Sequence, residues 1–287
     1  MMTAVLMPGK PVAESIEKEV LESSAIFLQE KGRKPGLATI LVGDDASSAR
    51  YIAMKQKKAQ ELGFESPHIH LSRSATTEDL LRSVESFNND PNVDAMLIQY
   101  PAPSGIDFDK ALSEVLPNKD ADGMHPMNMG RLALSIPGPI PCTPAGIEAI
   151  LKYYQIEIGG KHVAILGRGL TLGRPLSLLL SQKRAGADAA VTILHSGVLN
   201  WRDYTREADI VIGAVGVPGI ITKTDVKVGA VVIGAGVRYE GNKLLPDVLE
   251  EVEEVASFIT PRVGGVGPTT VAMLFRNAMD AAFGKFG

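Results

Sequence analysis

The fold is decided by one stretch of sequence, VAILGRGLTLGRP, which runs from Val163 to Pro175. A short apolar strand ends at Gly167, and Gly169 and Gly173 flank a turn that leads into a helix. Glycines let a backbone approach a pyrophosphate closely, and a helix N-terminus offers free N–H groups and a positive dipole. The spacing G-x-G-x-x-x-G is one residue longer than the common fingerprint. In its strand–helix context, the motif favours a dinucleotide site over a purely structural turn.

Apolar runs around this motif predict an α/β domain. A helix that begins near Thr143 is predicted to precede four strands, which are KHVAILG (161–167), AAVTILH (189–195), DIVIGAV (209–215) and GAVVIGAG (229–236). Parallel strands that are buried on both faces have this continuous apolar pattern. We therefore expect a Rossmann-type dinucleotide-binding domain over residues 146–268.

The N-terminal half alternates between helix and strand patterns in the same way. The predicted elements are helices over 11–30, 47–62, 78–87 and 108–115, and strands over 37–43, 68–71 and 93–99. Strands that alternate with helices imply crossover connections and a parallel sheet. A last helix is predicted over 269–283 and is expected to return to this half. The sequence thus predicts a second α/β domain over residues 1–145, completed by residues 269–287.

The strand after the glycine motif indicates which nicotinamide cofactor is bound. NAD enzymes usually have an acidic residue about 20 residues on, which accepts from the ribose 2′-OH. Here that strand ends in His195 and Ser196, and Arg168 lies inside the glycine turn. A guanidinium there can pair with a 2′-phosphate, so these features favour NADP. The alternative is that Arg168 merely pairs with a surface acid.

Composition narrows the class of protein. The 287 residues are 45% hydrophobic and 22% charged, with a formal net charge of -4 and no Lys/Arg cluster, so no nucleic-acid or membrane partner is expected. The single cysteine, Cys142, excludes an internal disulfide framework and a thiolate metal cluster, and no metal site is expected. The chain has no secretory signal pattern and no run of about 18 apolar residues. A cytoplasmic protein is expected.

A second site is predicted in SARYIAMKQKKAQELG, residues 48–63. Tyr51 and Lys55 are four residues apart, so on a helix they share a face with about 5–6 Å between their Cβ atoms. A lysine that is partly desolvated beside an aromatic ring can have its pKa lowered enough to shuttle protons. Such a pair is usually an ordinary helix face, so these two residues alone leave both interpretations open.

Further segments favour the catalytic interpretation. Gln99 ends the strand VDAMLIQ and runs into YPAP, at the carboxyl edge of a parallel sheet, where ligands bind in open α/β folds. The stretch NKDADGMHPMNMGRL puts Asp120 and Asp122 in a loop. The remaining segments are IPCTPAG (140–146) and ITPRVGGVGPTTVAML (259–274).

From end to end, the chain resembles the bifunctional methylenetetrahydrofolate dehydrogenase/cyclohydrolase family. The matching motifs are, in order, Y-x-x-x-K, a strand-terminal Gln before P-x-P, K-D-x-D-G, P-C-T-P, G-R-G-x-x-x-G-R-P and G-G-V-G-P. The resemblance implies two α/β domains with a folate cleft between them, the short form of the family, and a homodimer formed through the cofactor domains. It also implies NADP-dependent oxidation of 5,10-methylene-tetrahydrofolate and hydrolysis of the methenyl product to 10-formyl-tetrahydrofolate.

The resemblance also implies roles for individual residues. Lys55 matches the general acid/base, Tyr51 the ring that stacks on the pterin, Gln99 the residue that orients the lysine, and Asp122 the carboxylate that accepts from the pterin. Cofactor contacts fall on Gly167, Arg168, Gly169, Gly173, Ser196 and Val237, and further substrate contacts fall on Tyr100 and Gly265. Cys142, Asp120 and His125 are interpreted as structural.

The sequence departs from the family pattern at several positions. The departures are Tyr100 and Ala102 around the first proline of P-x-P, Arg262-Val263 before G-G-V-G-P, Gly234 where an Asp is common, and Ala46 in place of a proline. None of them removes a named catalytic group, so they concern rate and inhibitor preference more than the class of reaction.

Three alternatives stay open from the sequence. A dehydrogenase without the hydrolytic step is disfavoured because both Lys55 and Gln99 are present. A non-catalytic folate-binding paralogue would bind folate without forming NADPH. A Rossmann-type amino-acid or shikimate dehydrogenase would give no reason for the K-D-x-D-G and P-C-T-P loops.

Overall fold

The computed structural model describes residues 3–241 and 243–286. Its strands are β1 (Val5–Leu6), β2 (Leu37–Val42), β3 (His68–Leu71), β4 (Ala95–Ile98), β5 (His162–Leu166), β6 (Ala190–Leu194), β7 (Ile210–Gly213), β8 (Val231–Gly234), β9 (Val237–Glu240), β10 (Lys243–Pro246) and β11 (Phe258–Ile259). Its α-helices are α1 (Gly9–Lys31), α2 (Ala46–Glu61), α3 (Thr77–Asn89), α4 (Phe108–Glu114), α5 (Pro126–Ala133), α6 (Cys142–Tyr153), α7 (Gly173–Leu180), α8 (Trp201–Glu207) and α9 (Val266–Ala282).

The chain divides into two compact units. The six-stranded unit contains the segment that ends at Glu14 together with Thr143–Thr270, and the three-stranded unit contains Ser15–Cys142 and the chain from Val271 onward. The N-terminal boundary differs from the predicted one, because β1 pairs in parallel with β11 and so joins the six-stranded sheet. A two-residue strand has no periodic pattern by which a sequence could reveal this pairing.

The six-stranded unit has the sheet order β1-β11-β8-β7-β5-β6, with every pair parallel. Strand β5 lies between β6 and β7, so the chain order reverses beside it, and ligands bind at the carboxyl edge of such a switch point. Ala164, Val211 and Val232 lie in its buried core. The hairpin β9–β10 is antiparallel.

The three-stranded unit has the parallel order β3-β2-β4. Its central strand β2 is buried along its whole length, and Ile40 packs with Leu80 and Val84 of α3. Helix α3 begins with a capping box in which Thr76 and Asp79 satisfy each other's backbone N–H groups, as such boxes do. The carboxyl ends of β2 and β4 therefore lie side by side on a rigid support.

Most predicted elements are confirmed within a few residues at each end. The elements absent from the prediction are β1, α5, α8, β9, β10 and β11. Each has eight residues or fewer, so its side-chain periodicity is too brief to stand out. No helix of the described residues has the length and apolar character needed to cross a membrane.

Candidate active site and cofactor cradle

The three-stranded unit brings together Lys55 and Gln99, which are far apart in sequence. Lys55 is half-buried on α2, and its Nζ donates to Gln99 Oε1 at 3.0 Å. Gln99 follows the buried strand β4, and its backbone N–H donates to Ile40 O at 2.8 Å. Its Nε2 donates to Tyr100 O at 2.6 Å, so its amide is held at both ends. The lysine ammonium is therefore fixed by a side chain that the sheet itself orients.

Helix α2 also carries Tyr51, one turn before the lysine. The helix begins after Asp45, whose carboxylate accepts from Ser48 N at 2.7 Å and caps the first turn. The side chain of Tyr51 is 44% exposed, whereas Ile52 beside it is buried in the unit. The tyrosine ring can therefore offer a surface to a flat ligand near the lysine.

Tyr100 is a second exposed ring near Gln99. It is 65% exposed, and it packs edge-on against Phe108 of α4 with 5.3 Å between ring centroids. Phe108 packs against the unit's core, so it supports the ring of Tyr100.

The two aspartates of the K-D-x-D-G loop have different environments. Asp120 is 3% exposed, and its Oδ2 accepts from His125 N at 2.7 Å and from Asn128 Nδ2 at 2.9 Å. Burial raises the pKa of Asp120, although these donors act in the opposite direction. Asp120 therefore braces the loop, as predicted. Asp122, two residues further on, is half-buried.

His125 and Cys142 have structural contacts, as the sequence analysis expected. His125 Nδ1 accepts from Met127 N at 2.9 Å and caps α5. The thiol of Cys142 is buried and lies 3.9 Å from Asp122 Oδ1. Burial, and then the nearby carboxylates, raise the pKa of this thiol well above its usual value. A thiol held neutral in this way is a poor nucleophile.

The structural contacts of Asn277, on α9, were not predicted from the sequence. It is 7% exposed, and its Nδ2 donates to Ala121 O and to Ile140 O, both at 2.9 Å. It therefore ties the aspartate loop to the segment before Cys142. A single Asn on an apolar helix, more than 130 residues away in sequence, gives no local signal of this contact.

The six-stranded unit forms a cradle from glycines. Gly167 has φ +134°, and a Cβ there would lie 2.4 Å from Ala214 O. A Cβ at Gly173 would lie 2.1 Å from Gly167 O, so these two positions admit no side chain. At Gly169, in contrast, a Cβ would meet no atom within 4 Å. Gly167 and Gly173 therefore allow close backbone packing within the turn, and Gly169 faces open space.

The start of α7 completes this cradle. Its N-cap residue is Leu172, which makes no side-chain cap. Arg174 N donates to Gly169 O at 3.1 Å and Pro175 has no N–H, so the first-turn group that can face a ligand is the N–H of Gly173. Such a terminus, behind a glycine turn at the carboxyl edge of a parallel sheet, accommodates a phosphate. These residues fit a nicotinamide dinucleotide.

The predicted 2′-phosphate contacts lie beside the cradle. Arg168 and Ser196 are both exposed, and His195 Nδ1 accepts from Gly197 N at 3.1 Å, which shapes the turn after β6. Within residues 3–241 and 243–286, no acid lies within ion-pair distance of Arg168. The described structure thus gives no support to the alternative in which this guanidinium pairs with a surface acid.

Two further predicted contacts lie in loops of the same unit. Val237 begins β9 and is 42% exposed, and its carbonyl lies 3.3 Å from the position of a Cβ on Gly216. Gly265 is buried in the turn before α9, where a Cβ would lie 2.6 Å from Pro261 O. A contact of Gly265 with a ligand would therefore be made by its backbone. In the described part of the chain, no His, Cys, Asp and Glu cluster has the form of a metal site.

The fold and the cradle define the class of protein as a nicotinamide-dinucleotide-binding α/β protein with a separate catalytic unit. Two family models match successive parts of the chain. The model described as tetrahydrofolate dehydrogenase/cyclohydrolase, catalytic domain, matches residues 7–122. The model for the NAD(P)-binding domain of the same family matches residues 141–285.

Individual proteins are similar over nearly the whole chain. The bifunctional protein FolD 1 of Salinispora tropica is 54% identical over 282 residues, which are 98% of this chain and 92% of that protein. The crystal structure of the bifunctional enzyme FolD, a methylenetetrahydrofolate dehydrogenase/cyclohydrolase from Campylobacter jejuni, has a TM-score of 0.93 at 37% identity, covering 98% of this chain and 99% of that one.

A third similar protein is the FolD of Trypanosoma brucei, whose structure was solved with NADP and an inhibitor. It has a TM-score of 0.92 at 36% identity and covers 99% of each chain. The present chain belongs to the tetrahydrofolate dehydrogenase/cyclohydrolase family. It is a bifunctional enzyme of folate metabolism, both an oxidoreductase and a hydrolase.

Proposed function

We propose that Lys55 is the general acid/base of the hydrolytic step and that Gln99 orients it. The observation that carries the proposal is the 3.0 Å bond from Lys55 Nζ to Gln99 Oε1. An ammonium held through one of its hydrogens keeps its other N–H groups for substrate and water. A general acid/base must lie within hydrogen-bond reach of the proton that it transfers, and this bond fixes where the lysine can reach.

Tyr51 and Asp122 are proposed to bind the pterin of the folate. The exposed ring of Tyr51, one turn from Lys55, supports a stacking role. Asp122 is supported by the bracing of its loop, because Asp120 and Asn277 hold the backbone on either side of it. A carboxylate that accepts from a ring N–H and an amino group makes a two-bond contact that favours a pterin over rings without these donors.

The substrate is proposed to be 5,10-methylene-tetrahydrofolate, and the Campylobacter enzyme is named as a methylenetetrahydrofolate dehydrogenase. The bound nicotinamide supplies the acceptor for a hydride from the bridge carbon. For this step the protein orients its ligands, through Tyr51, Asp122 and the glycine cradle. In the second step, Lys55 Nζ accepts a proton from the water that adds to the cationic bridge carbon. Lys55 then returns this proton to the ring nitrogen as its bond to that carbon breaks, and the hydroxyl proton of the adduct is released to solvent as the formyl C=O forms. The product is 10-formyl-tetrahydrofolate.

The cofactor is proposed to be NADP rather than NAD. Arg168 is exposed beside the cradle without a described ionic partner, and Ser196 stands where an NAD enzyme usually has an acid. The trypanosomal relative was solved with NADP, which supports the same choice. Together these observations favour a cofactor that carries a 2′-phosphate.

We also propose that the enzyme is a homodimer formed through the six-stranded unit. Strand β6 is at the end of that sheet, and among the described strands it pairs with β5 alone. An unpaired strand edge is a ready site for another chain. Light scattering of the pure enzyme should give a mass of twice 30.5 kDa, and a mass of 30.5 kDa would remove this part of the proposal.

The experiment that tests the function is an assay of the wild-type enzyme with two substrates. With methylene-tetrahydrofolate, we expect reduction of NADP with a kcat/KM at least about tenfold above that for NAD, the scale of one charge-assisted contact. With methenyl-tetrahydrofolate and no nicotinamide, we expect loss of its near-ultraviolet absorbance. Reduction without hydrolysis would mean a dehydrogenase only. Folate binding without either reaction would mean a non-catalytic paralogue.

A further inference from the structure

Asp247 carries a buried carboxyl group for which the proposed reaction gives no role. It follows β10 and is 0% exposed. Its Oδ1 has no hydrogen-bond partner of good geometry among the described residues, and its Oδ2 accepts one long bond from Val215 N at 3.4 Å. Because buried polar groups are almost always paired, an unpaired carboxyl oxygen needs an explanation.

The neighbouring backbone makes room for this carboxyl with glycines. A Cβ at Gly213 would lie 2.7 Å from Asp247 Oδ2, and a Cβ at Gly236 would lie 2.1 Å from the same atom. Gly234 offers no side chain towards Oδ1, although its Cβ position is 3.8 Å away. The carboxyl is therefore enclosed by backbone.

The enclosing backbone belongs to the loops of the cofactor cradle. Asp247 lies against the turn after β7, through Val215 N, and against the turn after β8, through Gly236. The carbonyl of Ala214, in the first of these turns, packs against Gly167 of the glycine motif. A change in the charge of Asp247 therefore acts directly on two of the loops at the carboxyl edge of the sheet.

We propose that Asp247 is a positioning residue for the nicotinamide cofactor and that tight binding requires its carboxyl in the neutral form. The inference rests on the proposed cofactor site. An ionised carboxylate in this enclosure would draw in water or N–H donors and shift the two turns. It would also place a negative charge behind a site that must accept phosphates.

The expected pH range follows from the burial of Asp247. Burial raises its pKa to about 7, against the smaller effects of the N–H groups of Val215, Gly236 and Val248. The neutral form therefore predominates below about pH 7, and the ionised form above it. We expect cofactor affinity to fall as pH rises through this range.

Several charged side chains that the structure describes on the flanking elements form ion pairs of their own. Asp209, before β7, pairs with Lys227 at 2.8 Å. Arg238 and Glu240 of β9 pair with each other at 3.8 Å, and Glu250, after Asp247, pairs with Arg262 at 3.6 Å. Backbone groups rather than these pairs face the carboxyl, so the titration is assigned to Asp247.

The test compares cofactor dissociation constants of the wild type and Asp247→Asn, which mimics the neutral carboxyl, at about pH 6 and about pH 8. Between about pH 6 and about pH 8, the ratio of the wild-type Kd for NADPH to the Kd of the variant should rise by about tenfold. At about pH 8, the carboxyl of Asp247 is neutral in only about a tenth of the wild-type molecules. The ratio of the two proteins cancels titration of the cofactor's own phosphate. Asp209→Asn is the matched control and should keep the wild-type profile. The same pH profile in wild type and Asp247→Asn would overturn the inference.

A second measurement uses the wild type alone and holds even if the variant fails to fold. Calorimetric titration with NADPH at about pH 8, in buffers of different ionisation enthalpy, should report uptake of about one proton per cofactor bound. Binding without proton uptake would overturn the coupling and leave the cofactor site standing. A lack of binding at every pH would overturn the proposed cofactor site as well.

Discussion

The two units of the molecule use different parts of the chain to make a site. In the three-stranded unit the candidate groups are side chains, and Lys55 and Gln99 meet through a 3.0 Å hydrogen bond. In the six-stranded unit the candidate groups are mostly backbone, because Gly167 and Gly173 admit no Cβ. Substitutions in the first unit should therefore remove a chemical group and leave the fold intact, whereas those in the second should change the shape of the cradle.

Two buried carboxyl groups extend this comparison. Asp120 in the three-stranded unit accepts two hydrogen bonds shorter than 3.0 Å, whereas Asp247 in the six-stranded unit has one oxygen with no described partner. Full pairing makes the first group a brace for its loop. Because the carboxyl of Asp247 is incompletely paired, its ionisation is expected to disturb the structure around it.

The largest effect is expected from the side chain proposed to bind the pterin. Asp122→Ala should lower kcat/KM for methylene-tetrahydrofolate by about 100-fold or more, the scale of a lost charged hydrogen-bond acceptor. The dissociation constant for NADP should stay at its wild-type value, since the cradle lies in the other unit. Asp109→Ala, an exposed acid on α4, is the control. A near-normal KM for the folate in Asp122→Ala would move the pterin site to another acid.

An intermediate effect is expected for Arg168, in the glycine turn of the cradle. Arg168→Ala should raise the KM for NADP by about 30-fold, as expected for loss of a charge-assisted bond to phosphate, and should barely change that for NAD. Arg184→Ala, whose partner is Glu148, should leave both values alone. Equal losses with both cofactors would mean that Arg168 only shapes the turn.

Smaller effects should distinguish two glycines of the same motif. Gly173→Ala should lower the free energy of unfolding by about 1–3 kcal/mol, because its Cβ would overlap Gly167 O. Gly169→Ala should leave stability nearly unchanged, since a Cβ there meets no atom within 4 Å, and should weaken cofactor binding by about tenfold. Urea unfolding and NADPH titration measure the two quantities. The comparison between the units fails if Gly169→Ala destabilises the protein as much as Gly173→Ala.

Elements that are encoded by a local pattern of residues were predicted from the sequence. Elements and contacts that depend on long-range pairing were not. The main strands, most helices and the glycine motif follow from runs of residue types. Strand β1 was not predicted because its two residues form a strand only by pairing with Phe258 and Ile259. Asn277 and Asp247 escaped for the same reason, since their partners are backbone groups that only the folded chain brings to them. The resemblance to a family supplied the roles of Lys55 and Gln99, and the structure supplied their hydrogen bond.

Lys55 is proposed to move protons in the hydrolytic step and not to be required as a proton carrier for hydride transfer. Lys55→Met keeps most of the aliphatic stem but removes the ammonium. Lys57→Met is a matched control, because Lys57 lies on the same helix with its side chain 80% exposed. Gln99→Leu, which removes the acceptor of the lysine's hydrogen bond, should move the same step in the same direction.

The decisive measurement follows the near-ultraviolet absorbance of methenyl-tetrahydrofolate with Lys55→Met and, in parallel, NADPH formation from methylene-tetrahydrofolate. We expect hydrolysis to fall by about 100-fold or more, the usual scale for losing a general acid/base, and NADPH formation to fall by less. Lys57→Met should match the wild type in both reactions. Hydrolysis at the wild-type rate in Lys55→Met would mean that a group other than Lys55 carries the proton.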